Sequence, residues 1–316
     1  MPPTVSLNYT IGALEIGAFT SIYLFGLVTS QVYIYFRKCA KDPWGLKLLV
    51  ALVWSLDIGH TVAIASTTYT STIAEFGRPD LLDVLPRSLD VAIALTGMIG
   101  LLEQGWFEYR LHKFSKQLAL PILCFFLSIL RLAGSMGLFA IALRRLPLPA
   151  FEARAGWLIT AILAVGVSVD CTLTATLCYH LRYSPPVGFR RMTSQLMTWT
   201  IETGIITMCG AFVLLVTFLT LKTTFIWIGC FVVLPKLYSG SLLLSLNSRA
   251  RLGRVVDEIM MANARGSDPP DDVSLSTVPP SVQLDHATFG RRLEAIIEEE
   301  WSSAAVHAPP TFIALA

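Results

Sequence analysis

The stretch TFIWIGCFVVLPKLYSGSLLLSL, residues 224–246, decides the fold. It is apolar over a length that matches the ~20 residues with which an α-helix crosses the hydrocarbon core of a membrane. Lys236 interrupts this run near its middle. A charged side chain at that depth is costly in lipid, so it usually faces the protein interior and has a partner or a functional role. The stretch therefore predicts a transmembrane helix, and its lysine predicts a polar contact inside a helix bundle.

The composition extends this prediction to the rest of the chain. Of the 316 residues, 54% are hydrophobic and 15% are charged, whereas soluble domains carry about 25% charged residues. The charges lie between long apolar blocks, which is the pattern of an all-α, polytopic integral membrane protein. Seven blocks are long enough to be transmembrane helices: Gly12–Phe36, Leu46–Thr68, Leu89–Tyr109, Leu118–Leu143, Trp157–Leu181, Leu196–Leu219 and Phe225–Leu246.

The basic residues between the spans predict the orientation. The first, third and fifth loops and the start of the tail contain twelve Lys and Arg residues, whereas the opposite side contains six. Cytosolic loops carry such an excess, so the N-terminus is predicted outside and the C-terminal tail in the cytosol, although Arg144 and Arg145 run against the bias. The first span lacks the features of a cleaved signal peptide, and Asn8 begins a glycosylation sequon on the predicted outer side.

These observations predict three regions. Residues 1–11 form an extracytoplasmic N-terminus, residues 12–249 a seven-helix transmembrane domain, and residues 250–316 a cytosolic tail. The tail is rich in Pro, Asp and Ser at 266–283 and is predicted to be mostly disordered. After it, Phe289, Leu293, Ile296, Ile297 and Trp301 recur at helical spacing and predict one short helix. A docking site for a cytosolic protein partner and a weak helix without a partner both fit this pattern.

Four charged residues fall near the middle of the predicted spans: Asp57, Arg131, Asp170 and Lys236. Two acids and two bases at a shared depth predict interhelical ion pairs, with Lys236 against Asp57 or Asp170. His60 follows Asp57 by three residues and shares its helix face. These five residues are the candidate intramembrane polar cluster or ligand site. Pro235 removes a backbone hydrogen bond and predicts a helix kink near Phe231.

The cluster has three interpretations. Its members can hold the bundle together, line a ligand or ion site, or carry chemistry. Interhelical polar contacts in membranes contribute only about 0.6 kcal/mol on average, which is a weak reason to bury a lysine, so a functional role stays open beside the structural one.

Enzyme and cofactor classes find little support. Retinal proteins also carry a lysine in their seventh span. They have Asp one turn before that lysine, whereas this chain has Val232 there. The Pro-x-x-Tyr core at 235–238 resembles a motif of G-protein-coupled receptors, but Leu234 replaces its Asn. A seven-span zinc hydrolase needs paired histidines, and His60 stands alone on its span. No phosphate loop or nucleophile motif is present, and the cysteines form no CxxC pair. We therefore expect no enzyme activity, no cofactor and no metal.

Several segments together resemble a known family. They are KDPWGLKLLVALVWSLDIGH (41–60), GFRR (188–191) and PKLYSGSLLLSLNSR (235–249). They are similar to a large family of seven-span proteins from mushroom-forming fungi, catalogued as domain of unknown function 6534, over residues 11–250. The resemblance implies a seven-helix membrane architecture and no particular activity. One departure is Gly240, where the family often has Asn.

The expected function follows from the topology, the polar cluster and Pro235. We expect a receptor-like or sensory protein that binds a small apolar or amphipathic ligand within the bundle. The alternatives are a transporter with a proton or solute path, and a structural membrane protein without ligand. The absence of an internal repeat counts against transport. The expected partners are the lipid bilayer, that ligand and a cytosolic protein, with no nucleic acid. The expected location is multi-pass, in the plasma membrane or an endomembrane.

Overall fold

The computed structural model describes residues 10–39, 42–77, 84, 86–115, 119–183, 190–221 and 224–264. These residues form α-helices, with one short π-helical segment, Thr70–Ala74, after the second helix. We number the helices α1 to α7 along the chain: Ile11–Lys38, Trp44–Tyr69, Arg87–Ser115, Ala119–Ala142, Leu148–Tyr183, Arg190–Thr220 and Ile226–Ala264. Each predicted span coincides with one of these helices to within one residue at its ends or lies inside it.

Six helices of the described residues are long and apolar enough to cross a membrane. They are all except α3, so the chain is a helical multi-pass membrane protein. Helix α3 has 29 residues, which is about 44 Å at 1.5 Å per residue. It carries the acidic residues Asp90, Glu103 and Glu108, all of them buried. These charges make α3 the least apolar of the seven helices.

The predicted boundary at residue 250 between the last span and the tail falls inside a helix and stays a prediction. Helix α7 continues to Ala264, because the segment RLGRVVDEIMMANA (251–264) consists largely of residues that favour helix. The chain divides into two compact units, Met1–Gly253 and Arg254–Ala316. The helix predicted around Phe289–Trp301 and the sequon at Asn8 lie outside the described residues.

Neighbouring helices run antiparallel. Gly97 of α3 meets Ser135 of α4, and Glu108 further along α3 meets Ser128 earlier in α4, so the two helices run in opposite directions. The same alternation joins α2 to α3, α4 to α5 and α5 to α6, each of which packs against its neighbour. The result is an up-and-down arrangement with short connections, as in other helix bundles.

Helix α7 runs parallel to α1 and lies deeper in the protein than the other spanning helices. Asn247 donates to the carbonyl of Gln31, and a Cβ placed on Gly17 would lie 2.6 Å from the Cα of Gly229. Only glycine allows two helix backbones to approach so closely. In its spanning segment 61% of α7 is buried, compared with 28–33% for the other five. Its side chains therefore contact several helices at once.

Candidate functional site

The buried lysine pairs with the aspartate of the second helix. Lys236 Nζ lies 2.7 Å from Asp57 Oδ1, and both side chains are 0% exposed. The same nitrogen donates to the backbone carbonyl of Asp57 at 3.0 Å. The ring of Phe25 on α1 lies 5.1 Å from the lysine nitrogen, within the range of a cation–π contact. The interaction predicted between Lys236 and one of two acids is thus made with Asp57 and joins α7 to α2.

His60 lies one turn after Asp57 and is completely buried. It is close enough to Lys236 to interact with it electrostatically. Neither ring nitrogen has a hydrogen-bond partner among the described residues. A buried polar group without a partner costs about 1–3 kcal/mol, so this histidine is retained at the expense of stability.

The second buried cation, Arg131 of α4, contacts α7 through a tyrosine. Its Nη2 donates to the phenol oxygen of Tyr238 at 2.8 Å, and its Cζ lies 5.1 Å from the centre of the tyrosine ring. Two glycines make room for the guanidinium. A Cβ on Gly166 of α5 would lie 3.1 Å from Arg131 Cζ, and a Cβ on Gly100 of α3 would lie 3.5 Å from Nη1. The guanidinium therefore occupies a slot between α3 and α5.

Asp170, the fourth predicted charge, accepts a hydrogen bond from Gln104 Nε2 at 2.9 Å. It interacts electrostatically with Arg131 and with Glu103. Glu103 in turn accepts from Ser241 of α7 at 3.2 Å. These residues form a second polar centre, which we call the arginine centre: Gln104, Glu103, Arg131, Asp170, Tyr238 and Ser241.

The spacing on α7 explains why one helix serves both centres. Lys236 and Tyr238 are two residues apart, so their side chains point about 200° apart around the helix axis. Lys236 faces α2, whereas Tyr238 faces α4. On the face of α7 that carries Tyr238, residues recur at steps of four and three and so form one continuous stripe: Trp227, Phe231, Leu234, Tyr238, Ser241 and Ser245. Its first half is apolar and its second half is polar.

A cavity of about 70 Å³ lies against the apolar half of this stripe. Helices α3 to α7 form its wall, at the end of the bundle where α3, α5 and α7 begin and α4 and α6 end. Most of the wall is apolar, and Arg131 is the one charged residue among its described members. The wall residues are Leu89, Ile93, Thr96, Gly97, Arg131, Ser135, Leu138, Phe151, Ile159, Ile162, Leu163, Leu214, Trp227, Ile228, Phe231 and Leu234. Arg131 thus belongs both to the arginine centre and to the cavity.

The predicted site residues therefore form two groups rather than one. Asp57, His60 and Lys236 lie together between α2 and α7, and Arg131 and Asp170 lie together between α4 and α5. Pro235 lies inside α7, which continues as a helix on both sides of it, so the kink there stays a prediction. Gly240 faces Val28 of α1, since an added Cβ would lie 4.0 Å from that side chain.

Sequence reasoning missed the cavity and the partners of Arg131. The stripe on α7 carries a signal for them, because its change from Trp, Phe and Leu to Tyr and Ser marks where an apolar surface gives way to a polar one. In the part of the chain that the structure describes, no three His, Cys, Asp or Glu side chains are grouped so that they could hold a metal ion. The six cysteines, all of them in this part, form no disulfide.

Residues 166–251 match a family of unknown function, DUF6534. The match begins within α5 and ends within α7, so it includes Asp170, Pro235 and Lys236. Two of the three segments that carry the resemblance, GFRR and PKLYSGSLLLSLNSR, lie inside it, whereas the segment at 41–60 lies outside. No curated protein and no solved structure matches the chain.

Proposed function

We propose that this chain is a receptor-like or sensory membrane protein that binds a small apolar or amphipathic ligand in the cavity beside Arg131. One observation carries the proposal. Among the described wall residues Arg131 supplies the only charge, and it also donates a hydrogen bond to Tyr238 in the spanning part of α7. A molecule that contacts Arg131 therefore acts on α7 directly.

The transmission step needs an element that can adopt two arrangements. A ligand shifts such an equilibrium only by binding one arrangement more tightly than the other. The segment 231–238 of α7 fits this role, because Pro235 has no N–H and leaves the carbonyl of Phe231 without its usual helical donor. Phe231 and Leu234 line the cavity, and Tyr238 receives the bond from Arg131. The weakened turn thus lies between the ligand and the polar half of α7.

The size of the cavity limits the ligand. An apolar cavity of 150 Å³ accommodates benzene, so about 70 Å³ accommodates about three non-hydrogen atoms. With at most about 1.5 kcal/mol per atom, such a ligand binds with at best about 4.5 kcal/mol, which is a dissociation constant near 1 mM. The enclosed part of the site is thus suited to an abundant small molecule, and a tighter ligand extends beyond the enclosed volume.

The proposal includes a membrane topology. Helix α3 is the seventh crossing, because Glu103 and Glu108 are buried and accept bonds from Ser241 and Ser128, so these acids do not contact lipid. The N-terminus is outside, the cavity opens in the extracytoplasmic half, and the cytosolic tail recruits a protein partner. The chain is a non-enzymatic member of the fungal seven-span family, in the plasma membrane or an endomembrane.

Xenon tests whether the cavity takes up an apolar molecule. The full chain is reconstituted in lipid nanodiscs, and xenon binding is followed by xenon NMR. We expect saturable binding in the wild type, binding lost in Leu163→Phe, which fills the cavity, and binding retained in Leu130→Phe, which adds the same atoms on an exposed face of α4. Equal xenon signals in all three proteins would mean that xenon dissolves only in lipid and that the cavity binds nothing.

A transporter is the second candidate, and His60 is the observation that favours it. A fully buried histidine with two unpaired nitrogens beside the Asp57–Lys236 pair is the kind of residue that relays protons in transporters. Proteoliposomes with a pH-sensitive dye inside test this alternative. A proton flux abolished by Asp57→Asn would overturn the receptor proposal. Without flux and without xenon binding, the remaining function is structural.

A further inference from the structure

The unpaired polar atoms of the cavity wall indicate which kind of ligand it takes. Two buried polar side-chain atoms on the described wall have no hydrogen-bond partner: Arg131 Nη1 and Trp227 Nε1. Both are donors and neither can accept. Arg131 and Trp227 are each only 8% exposed and both line the cavity, so a ligand bound there can supply an acceptor to these donors. A ligand that suits this wall therefore carries a hydrogen-bond acceptor.

The other polar side chains of the wall already have acceptors of their own. Thr96 Oγ1 donates to the carbonyl of Ala92 at 2.8 Å, and Ser135 Oγ donates to the carbonyl of Arg131 at 3.1 Å. These are bonds within the same helix, which hydroxyl groups in membrane helices commonly make. Arg131 and Trp227 therefore remain as the donors of the described wall. Trp227 lies one turn of α7 before Phe231 and two turns before Leu234.

The surrounding charges decide between a neutral and an anionic acceptor. Arg131 interacts electrostatically with Asp170 and Glu103, so acidic groups already lie beside its positive charge. The wall residues that the structure describes include no second Lys or Arg. A carboxylate in the cavity would add a further negative charge near two acids, in a place where charges are poorly solvated. A neutral oxygen accepts the same hydrogen bond without that repulsion.

We infer that the cavity binds a small neutral carbonyl compound, such as an aldehyde, ketone or ester, with its oxygen on the Arg131 guanidinium and any atoms beyond about three extending past the enclosed volume. The apolar remainder lies along Phe231 and Leu234 toward Trp227. This inference rests on the proposed ligand-binding function and names the ligand class of the same site.

Acetone labelled with ¹³C at its carbonyl tests the inference, with ¹³C-labelled acetate as the anionic comparison of equal size. Both are titrated into the full chain in nanodiscs and followed by ¹³C NMR. A hydrogen bond from a guanidinium moves a carbonyl resonance downfield, which simple packing in an apolar cavity does not. We expect a saturable downfield shift with acetone, at least tenfold weaker binding of acetate, and loss of the acetone shift in Leu163→Phe but not in Leu130→Phe.

Arg131→Lys supplies the variant that keeps the charge and removes Nη1. We expect it to weaken acetone binding about tenfold, the loss typical of a hydrogen bond to a charged group, and to reduce the carbonyl shift while xenon binding is unchanged. If this variant does not fold, the comparison of acetone with acetate in the wild type still decides the matter.

The outcomes separate the two levels of the proposal. Xenon binding without an acetone shift would overturn the carbonyl inference and leave an apolar ligand site. Tighter binding of acetate than of acetone would overturn the neutral class in favour of an anion. Failure of both xenon and acetone to bind would overturn the proposed function itself.

Discussion

Replacing Lys236 with methionine tests the energetic role of the buried ion pair. The lysine nitrogen lies 2.7 Å from Asp57 Oδ1 and 3.0 Å from the Asp57 carbonyl, and both side chains are fully buried. Methionine fills a similar volume but leaves the carboxylate of Asp57 without its cation. We therefore expect Lys236→Met to lower the free energy of unfolding, and the size of the effect discriminates between two kinds of contact.

The structure favours the larger of two values for the unfolding free energy lost in Lys236→Met. An average interhelical polar contact in a membrane contributes about 0.6 kcal/mol, whereas breaking a buried ion pair by removing one partner costs about 3–5 kcal/mol. The second figure applies here because neither charge is exposed and no other base is hydrogen-bonded to Asp57 among the described residues. At an effective dielectric constant of about 20, opposite charges 4 Å apart attract by about 4 kcal/mol, which is consistent with that range.

A double-mutant cycle isolates the pair. The wild type, Lys236→Met, Asp57→Leu and the double variant are unfolded by SDS titration in dodecylmaltoside micelles, with tryptophan fluorescence as the signal. Each single change is expected to cost about 3–5 kcal/mol, and the double variant to unfold within about 2 kcal/mol of the wild type, because two apolar residues replace a pair. Lys47→Met, at the start of α2, is the control and is expected to cost under about 1 kcal/mol.

Two results would refute this reasoning. Single variants that lose less than about 1 kcal/mol would mean that the pair is no stronger than an ordinary polar contact. A double variant that loses the sum of the two single effects would mean that the residues act independently. If the cycle behaves as expected and acetone binding is unchanged in the double variant, the pair is structural and the ligand site is confined to the arginine centre.

Three further predictions concern the packing of α1 against α7, the position of the Arg131 guanidinium and the role of the tail. Gly17→Ala should lower the free energy of unfolding by about 1–3 kcal/mol, because its Cβ would lie 2.6 Å from the Gly229 backbone. Gly26→Ala is the control: its Cβ would have nothing within 4 Å, so the change should be under about 1 kcal/mol. The same SDS titration compares the two variants, and equal losses would contradict the close approach of α1 and α7. Gly166→Ala should weaken acetone binding several-fold in the NMR titration, because its Cβ would lie 3.1 Å from Arg131 Cζ, and unchanged binding would mean that the glycine slot does not position the guanidinium. Truncation after Arg254 should abolish partner recovery by crosslinking in cells and leave xenon binding intact; the same partners recovered from the truncated chain would remove the role of the tail.

The helices were predictable from the sequence, because apolar blocks of about twenty residues have few other uses. Helix α3 is the exception. It was predicted from an apolar block, yet its buried acids make it the least apolar of the seven helices. An acid that faces protein and an acid that faces lipid look alike in a sequence, and only the contacts of Glu103 with Ser241 and of Glu108 with Ser128 distinguish them.

The ion pair was partly predictable and the arginine centre was not. The positions of the charges along the helices predicted that Lys236 pairs with Asp57 or Asp170. In the structure α7 packs against α2, and the partner is Asp57. The same reasoning expected Arg131 to bond to an acid, but it bonds to Tyr238, and its guanidinium lies in the space that Gly100 and Gly166 leave on neighbouring helices. Absent side chains leave no pattern in hydropathy or charge, so the slot formed by Gly100 and Gly166 could not be inferred from the sequence alone.

The central claim is that a molecule in the cavity acts on α7 through Arg131 and Tyr238. Hydrogen–deuterium exchange of peptides covering residues 231–241, with and without saturating acetone in nanodiscs, tests it most directly. We predict slower exchange with acetone in the wild type and in Leu130→Phe, and no difference in Leu163→Phe. Unchanged exchange in the wild type, at acetone concentrations where the carbonyl shift reports a filled cavity, would contradict the account.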